Sequence, residues 1–476
     1  MYCGDETGAY IGDIGSHSCR FGYGGEDHPK HVAPSYMASK SGNKNYIPSS
    51  CYNNHDDLKP IYGMASSEEP IVDPTDFLKQ GDVIENWDAL EQAWKHSFDV
   101  LRVRERYKHT TGSSSTTQRT QKNEEDPSSS TVRPSLTEER LVHPILAVRP
   151  GCTHAMGSED DKATQRKELE KYTELMFESL QADSCFIAPS PMLAAFSHGR
   201  QTCLVVDLGA SGCRVTPVVD GLLLKQAQRR SGRGGDWLAN VAWKAMLEEK
   251  ISVIPRYRLR GDTTSPSSSS PVMTQWAMRD LMFEFRTSEH VSLQTWRYGH
   301  YTTPFCAKEE EEESPEVSEN PVSYELPDGT LVNLETTIGH DLKRVPELLF
   351  TDDVPFVTPN DTNEHSTICN LPLHHLIKES LAAVGDADLR KELCGNIVLV
   401  GGSSLLPNME QRLSYEISGI ISGKCKIVAS KFSVERSHAA FIGASVLTSL
   451  GSFQQLWLSR KEYEEYGASL AIQRFP

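Results

Sequence analysis

The sequence has no apolar run approaching the length of a membrane span, and its opening, MYCGDETGAY, lacks a basic region followed by an apolar stretch. Neither a spanning helix nor a secretory leader is expected, and the chain reads as soluble and intracellular. Cationic residues are in deficit: 48 Lys and Arg stand against 65 Asp and Glu, for a formal charge of −17. There is no phosphate-neutralising stripe, so tight, direct, sequence-specific DNA binding is not expected; work near DNA would go through partners. The 11 cysteines, an odd number scattered from Cys3 to Cys425, contain no C-x-x-C pair. That excludes a disulfide framework or a zinc site and suits a reducing compartment. No run of Lys and Arg reads as a nuclear localisation signal, so an import route is not legible.

What the chain does have is length. Its 476 residues, 38% of them hydrophobic, exceed one ordinary core, and two lobes are expected. Three stretches read as solvated inserts: the Ser/Thr-rich residues 110–134, the GDTTSPSSSSP of residues 261–271, and residues 308–321, which carry EEEEE. Such compositions bury too little apolar area to offset the entropy of ordering. The acidic run has the charge to meet a basic partner such as a histone tail, although a merely solvated loop explains it as well.

Between the inserts, strands and helices alternate, which gives an α/β reading. Residues 9–14 form a short apolar run. Residues 88–101 have apolar side chains at helical spacing, and residues 166–180 place Leu169, Tyr172, Met176 and Leu180 on one helical face. Residues 141–148, 203–207, 214–219 and 397–400 read as strands. The last runs into Gly401-Gly402 and a helix opening at Pro407, where proline suits a first turn.

One pattern occurs twice. Asp13-Ile14-Gly15-Ser16 follows the first strand, and Asp207-Leu208-Gly209-Ala210-Ser211-Gly212 follows CLVVD. A single D-x-G turn is commonplace. Two, at equivalent places in two halves, suggest hairpins facing a shared cleft. Gly- and Ser-rich turns expose consecutive backbone N–H groups and let phosphate oxygens approach closely. Asp13 and Asp207 would then sit near the phosphates and hold Mg²⁺ through its waters. Arg20, seven residues past Asp13 on the returning strand, could reach a phosphate, although a surface ion pair is the rival reading. Gly401-Gly402 would let a flat purine or ribose lie against the backbone.

These motifs, with V-G-G-S-S-L-L-P at residues 400–407, resemble the two phosphate motifs and the adenosine motif of the actin superfamily. GDVIENWDALEQAWKHSF, LAAFSHGR, NIVLVGGSSLLPNMEQRL and ASVLTSLGSFQQLWLSRKEYEEYG resemble actin segments in order. The resemblance spans nearly the whole chain apart from the inserts and residues 33–73. GDETGAYIGDIGS and VTPVVDGLLL place it nearest the nuclear, actin-related protein four class.

The resemblance implies an α/β, actin-like, two-lobed fold with duplicated halves around a nucleotide cleft. The first lobe would comprise residues 1–197, with residues 437–476 returning to it and a small subdomain at 34–72. The second would comprise residues 198–436, with an outer subdomain at 234–360. It implies ATP, with Mg²⁺ weakly held or absent, contacted by Asp13, Gly15, Ser16, His17, Arg20, Asp207, Gly209, Ala210, Ser211, Gly212, Gly234, Gly401, Gly402, Ser403, Leu406 and Ser437. Departures from the family bear on hydrolysis. The glutamine that orients the attacking water aligns with Ser190, a second loop aspartate with Ala210, and a histidine with Arg214. Losing water positioning costs orders of magnitude in rate. The adenine-side lysine aligns with Ser437, and a Lys-Glu pair falls near Met282 and Phe283.

Function follows by the same implication: a nuclear scaffold subunit that keeps ATP without turning it over. It would pair with actin on a long helix of a chromatin-remodelling ATPase or a histone-acetyltransferase scaffold. Residues 452–466, with Phe441, Phe453 and Trp457, are a candidate helix-binding surface whose rival reading is core packing. A cytoskeletal ATPase and a small-molecule kinase are the competing functions. Ser190 and Ala210 argue against the first; the absence of any sugar site or catalytic base in the sequence argues against the second.

Overall fold

The computed structural model describes residues 8–40, 44–46, 71–76, 84, 86–103, 141, 143–149, 159–251, 323–325, 331–333, 345–351, 371–406, 409–421 and 423–475. The three inserts, Met282 and Phe283 lie outside the described residues, as do residues 47–70.

Two mixed sheets dominate. The first holds β1 (Tyr10–Ile14), β2 (Ser18–Tyr23), β3 (His31–Pro34), β7 (Ile145–Arg149), β8 (Ser184–Pro189) and β17 (Leu458–Ser459), in the order β17-β8-β7-β1-β2-β3. Between β3 and β7 in the chain, β4 (Tyr36–Lys40), β5 (Lys44–Tyr46) and β6 (Ile71–Asp76) make a separate three-stranded sheet. The second large sheet holds β9 (Cys203–Leu208), β10 (Cys213–Val219), β11 (Leu222–Leu223), β15 (Ile397–Val400) and β16 (Ile427–Val428), in the order β11-β10-β9-β15-β16, with β12 (Arg229–Ser231) also on β10. A hairpin of β13 (Ser323–Glu325) and β14 (Leu331–Asn333) stands apart.

The sheets are built alike. In each, a central strand runs into an antiparallel hairpin on one side and is followed on the other by two successive strands parallel to it, the first of which it pairs with. β1 pairs antiparallel with β2 and parallel with β7; β9 pairs antiparallel with β10 and parallel with β15. The repetition seen in two short motifs is thus a duplication of architecture.

The helices explain their own positions. α1 (Trp87–Val100) begins where the Asn86 side chain accepts a hydrogen bond from the Ala89 N–H at 3.0 Å. That satisfies one of the donors a helix leaves open at its start. Its Leu90, Trp94 and Phe98 fall on one face and are buried against the first sheet with Tyr10 and Phe21. α2 (Glu159–Glu174) continues as a π-helical turn, Leu175–Ser179, which brings Leu175, Met176 and Phe177 all into the core. Leu169, expected on that buried face, is only partly buried. The strand read at residues 141–148 is shorter: Leu141 makes an isolated bridge to Ala182, and β7 starts after Pro144, at Ile145. The helix expected from Pro407 is described from Met409 as α7 (Met409–Ile420), after a 3-10 turn at Gly402–Leu405; Pro407 itself lies outside the described residues. α4 (Gly235–Glu248), α5 (Leu373–Ala382) and α6 (Ala387–Cys394) belong to the second core, around Leu204, Val206, Leu376 and Ile397.

The lobes exchange helices at their junction. α3 (Ser190–Ser197) follows β8, the last parallel strand of the first sheet's inner set, yet it packs on β9 and β10 of the second. α8 (Ser433–Ser437) and α9 (Ala439–Thr448) follow β16, and α9 packs on β1 and β7 of the first sheet. α3 and α9 lie against each other. Ala194, Ala195 and Ala439 share a small core there with Val205 and Val398. The approach is so close that a Cβ on Gly443 would collide with the Leu193 carbonyl oxygen and lie 2.5 Å from its carbon. Phe441 is fully buried in the first core and Phe453 nearly so, each contributing about 1.5–3 kcal/mol by burial. Trp457 packs edge-on against Phe453 with centroids 5.0 Å apart. The core reading is therefore correct for Phe441 and Phe453, and neither presents a surface to a partner. Near them the apolar side chains left exposed are Val446, Leu450, Leu456 and Tyr466.

Candidate functional site

The two Gly-bearing turns have the same construction. In the first, Asp13 on β1 lies opposite Arg20 on β2, and their side chains meet at 3.1 Å. In the second, Asp207 on β9 lies opposite Arg214 on β10, and theirs meet at 3.5 Å. The tip of each is closed by an equivalent hydrogen bond. Gly15 N–H donates to the Ser18 carbonyl at 3.2 Å, and Gly209 N–H to the Gly212 carbonyl at 3.1 Å. The arginine seven residues past each aspartate is thus a second repeated element. Arg214, first noticed as a departure from a family histidine, has Arg20 as its counterpart.

The turns feel one another. Burial pushes the Asp207 carboxyl up to about 6; the negative charge of Asp13 adds to this, and Arg20 partly offsets it. Both latter groups belong to the first lobe, so the two turns share one electrostatic environment. Burial likewise raises Asp13, against the opposing pull of Arg20. Between the turns' lobes stand further cations that sequence reasoning missed. Arg149, at the end of β7, bears on Lys225 of the second lobe, whose pKa is lowered first by burial and then by that charge. Their signal, an isolated cation after an apolar run (LAVR and LLLK), is too common to single out.

Each turn is held from behind. The Ser35 hydroxyl donates to the Gly15 carbonyl, and Ser35 N–H donates to the carbonyl of the part-buried His17 at 3.2 Å. In the second lobe, Gly235 N–H donates to Gly209 O at 3.0 Å and Asp236 N–H to Ala210 O at 2.9 Å. The amino end of α4 therefore grips the turn's carbonyls, while Gly234 sits too close to Ala210 and Gly212 to carry a side chain. Arg214 donates to the Ser211 hydroxyl at 3.0 Å, and Arg230, in register beside it on β12, to the Ser211 carbonyl at 3.4 Å.

The Gly401-Gly402 segment, read in the sequence as an adenosine motif, abuts this turn. Gly401 has φ +95°, and a Cβ there would lie 2.5 Å from the Asp207 carboxylate and from Leu208 O. Only glycine suits both the conformation and the space. Gly401 N–H donates to Arg436 O at 2.9 Å, the Ser404 hydroxyl to Gly401 O at 2.6 Å, and Arg436 Nε to the Ser404 hydroxyl at 3.2 Å. Ser403 is buried, and Leu406 N–H closes the segment onto Ser403 O at 3.4 Å. Ser437 spends its hydroxyl on Ser433 O at 2.8 Å, within its own helix. Its neighbour His438 was missed. Burial, then Arg20 and His28, push it down to about 3, and its buried Nδ1 has no hydrogen-bond partner among the described residues.

Ser190 is the first residue of α3, at the end of β8. Register carries Asp13 to Val148 and Val148 to Ala188, so Ser190 stands at the same sheet edge as Asp13. Ala210 is buried in the second turn. Neither side chain can do the work of an amide or a carboxylate.

The residues fit a nucleotide's phosphates: two N–H-bearing turns, and an Arg20 Nε that is buried without a partner among the described residues. They fit a metal less well. No group of three or more His, Cys, Asp or Glu able to hold one is assembled among the described residues, and Asp13 and Asp207 each already face a guanidinium. Nor, among the described residues, is any helix long and apolar enough to cross a membrane.

Comparison with known proteins agrees with this architecture. The Actin family model matches residues 4–476. The chain is 28% identical to actin-related protein 4 of Arabidopsis thaliana over the whole of both chains. It is 27% identical to the protein of that name in Yarrowia lipolytica, over all of this chain and 97% of the other. Against that of Schizosaccharomyces pombe it is again 27% identical, over 98% of this chain and 96% of the other.

Proposed function

This chain belongs to the actin family, and from that premise we propose that it is a nuclear scaffold subunit that holds ATP between its lobes without appreciable turnover. The observation that carries the reading is a contrast within one site. Two Gly-bearing turns suited to holding phosphate are present with Asp13, Arg20 and Asp207, while by the family resemblance Ser190, Ala210 and Arg214 occupy positions where hydrolysis needs other chemistry. A ligand bound only by the closed cleft stabilises that state by mass action. Bound nucleotide would therefore set the angle between lobes and, through it, the surface offered to a partner.

The proposed partners are actin and a long helix of a remodelling ATPase or acetyltransferase scaffold, with histones a further contact through the acidic insert. The docking surface is revised from the sequence reading. Leu450 and Leu456 stay exposed beside Phe453 and Trp457, and an amphipathic helix seeks such side chains. The acidic chain, at −17, supports recruitment to chromatin through partners rather than through DNA.

Two measurements test this. Phosphate release by the purified chain is expected to fall on the order of 10²–10⁴-fold below that of an enzyme with an intact water-positioning group; actin-like rates would overturn the non-hydrolysing reading. Affinity purification of the tagged chain from nuclear extract is expected to bring down actin with remodelling or acetyltransferase subunits. Recovery of cytoplasmic actin-branching or motor-adaptor subunits alone would replace the nuclear reading with a cytoskeletal one.

A further inference from the structure

We propose that this chain holds the phosphates of its nucleotide with arginine charge instead of a divalent cation, Arg214 taking at the second turn the place that a metal ion would fill. The inference rests on the nucleotide-holding reading above and concerns how the same site is neutralised.

The first ground is the state of the carboxylates. Mg²⁺ in phosphate sites is held by one or two carboxylates, usually through its own waters. The carboxylates available here are Asp13 and Asp207, and both are engaged: Asp13 by Arg20 at 3.1 Å, Asp207 by Arg214 at 3.5 Å. A hydrated dication would have to share each with a fixed positive charge. At the two positions where the family resemblance would put further groups for its waters stand Ala210, which has no polar side chain, and Ser190, which is short.

The second ground is where the Arg214 guanidinium lies. Its side chain is only 6% exposed, and it is fixed on the turn itself by the Ser211 hydroxyl at 3.0 Å. One terminal nitrogen is 3.6 Å from the place a Cβ of Gly209 would occupy. The guanidinium thus lies against the turn itself, beside Gly209 and Ser211. Guanidinium matches phosphate geometry and forms short, charge-assisted hydrogen bonds to it. Arg230 stands in register beside Arg214 on the neighbouring strand, and Arg20 faces from the other lobe.

The third ground is charge. Three arginines and two aspartates line the two turns, leaving one positive charge in excess. With an aspartate at position 210 and a neutral histidine at 214, the residues the family resemblance leads one to expect, the same set would carry one negative charge in excess. The difference is two charges, the charge of one divalent ion.

The test is ATP binding by the full chain, purified in EDTA and titrated in either EDTA or excess Mg²⁺. The expected result is affinity in EDTA within about threefold of that in Mg²⁺. A loss of about tenfold or more in EDTA would overturn the proposal and leave the nucleotide reading standing, with the Asp207–Arg214 contact a structural ion pair only. No binding in either buffer would remove the nucleotide reading and this one with it. The double variant Ala210→Asp with Arg214→His is expected to acquire a Mg²⁺ requirement, binding at least about tenfold more weakly in EDTA. A folded double variant as indifferent to Mg²⁺ as the parent would show that Arg214 is not the substitute. Circular dichroism establishes folding, and if the variant does not fold the parent's comparison still decides.

Discussion

Arg412 and Glu347, 65 residues apart in the chain, meet through two hydrogen bonds of 2.8 and 2.7 Å inside the second lobe. The Arg412 Nε reaches Glu416 at 2.8 Å, and its guanidinium lies 4.7 Å from the centroid of the Phe350 ring. This two-pronged pair joins α7 to the 3-10 turn Val345–Leu349 where neither side chain reaches water. Breaking a buried pair leaves one charge uncompensated. Arg412→Ala is expected to destabilise the second lobe by about 3–5 kcal/mol, read from urea unfolding. Replacing both partners by apolar side chains of similar volume, Arg412→Met with Glu347→Leu, is expected to cost clearly less than the single change. Equal losses would mean that the pair's net attraction, rather than the stranded charge, sets the penalty.

The helix crossing at the lobe junction makes a sharper demand. Gly443→Ala adds one carbon where the Leu193 backbone already stands, and backbone cannot turn aside as a side chain can. Overpacking costs about 1–3 kcal/mol where side chains can give, so the loss here is expected at or above the top of that range. It should appear as a lower melting temperature together with faster proteolysis between the lobes. Gly419, in α7, meets nothing within 4 Å of an added Cβ. Gly419→Ala is the matching control, expected to be neutral or stabilising by about 0.4–1 kcal/mol.

How much of this was legible in the sequence varies with the reach of each feature. The turns were legible because Asp, Gly and small residues sit within five or six positions of one another and occur twice. Strand onsets were less so: apolar residues 141–148 read as one strand, and only the fold shows Leu141 bridging to Ala182 while pairing proper waits for Ile145. The partnership of Arg214 with Asp207 spans seven residues across a hairpin and needed the register to be seen. The exchange of α3 and α9 rests on contacts between residues some 250 positions apart, such as Leu193 with Gly443, and no local pattern encodes it. Phe441 and Phe453 stand at spacings that suit a groove or a core equally, and burial alone decides between them.

His31 gives a pH dependence. It lies between Phe21 and His96, and burial, followed by the neighbouring His96, pushes it down to about 4. An unfolded histidine titrates near 6.5. As pH falls below that value the unfolded chain takes up the proton first, so the contribution of a neutral His31 is complete above pH ~6.5 and is lost progressively toward pH ~4. Urea unfolding at pH 7.5, 5.5 and 4.5 (values on the order of those spanning this window) should therefore show a steeper fall for the parent than for His31→Phe. Parallel slopes would mean that His31 is not titrating differently in the two states.

Leu450 and Leu456 are each 49% exposed, whereas Phe453 between them is 2% exposed. The two kinds of position should separate cleanly. Leu450→Asp and Leu456→Asp are expected to leave melting nearly unchanged while lowering co-purification of the proposed nuclear partners by about tenfold or more, as loss of an interface anchor does. Phe453→Ala is expected to cost about 3–5 kcal/mol of stability. Unchanged partner recovery by both aspartate variants would move the docking surface elsewhere on the chain.

The short strand β17 has a consequence for how the chain comes into being. Leu458 and Ser459 pair with Cys185 and Ser184, completing the outer rim of a sheet whose central strand starts at Tyr10. Phe441, Phe453 and Phe475 fill the same core. On a ribosome, the first sheet would wait with a missing rim and missing aromatics until residues 441–475 had left the exit tunnel. The second sheet needs nothing beyond Val428 for its strands. Synthesis order and assembly order are thus reversed: the lobe begun first is finished last.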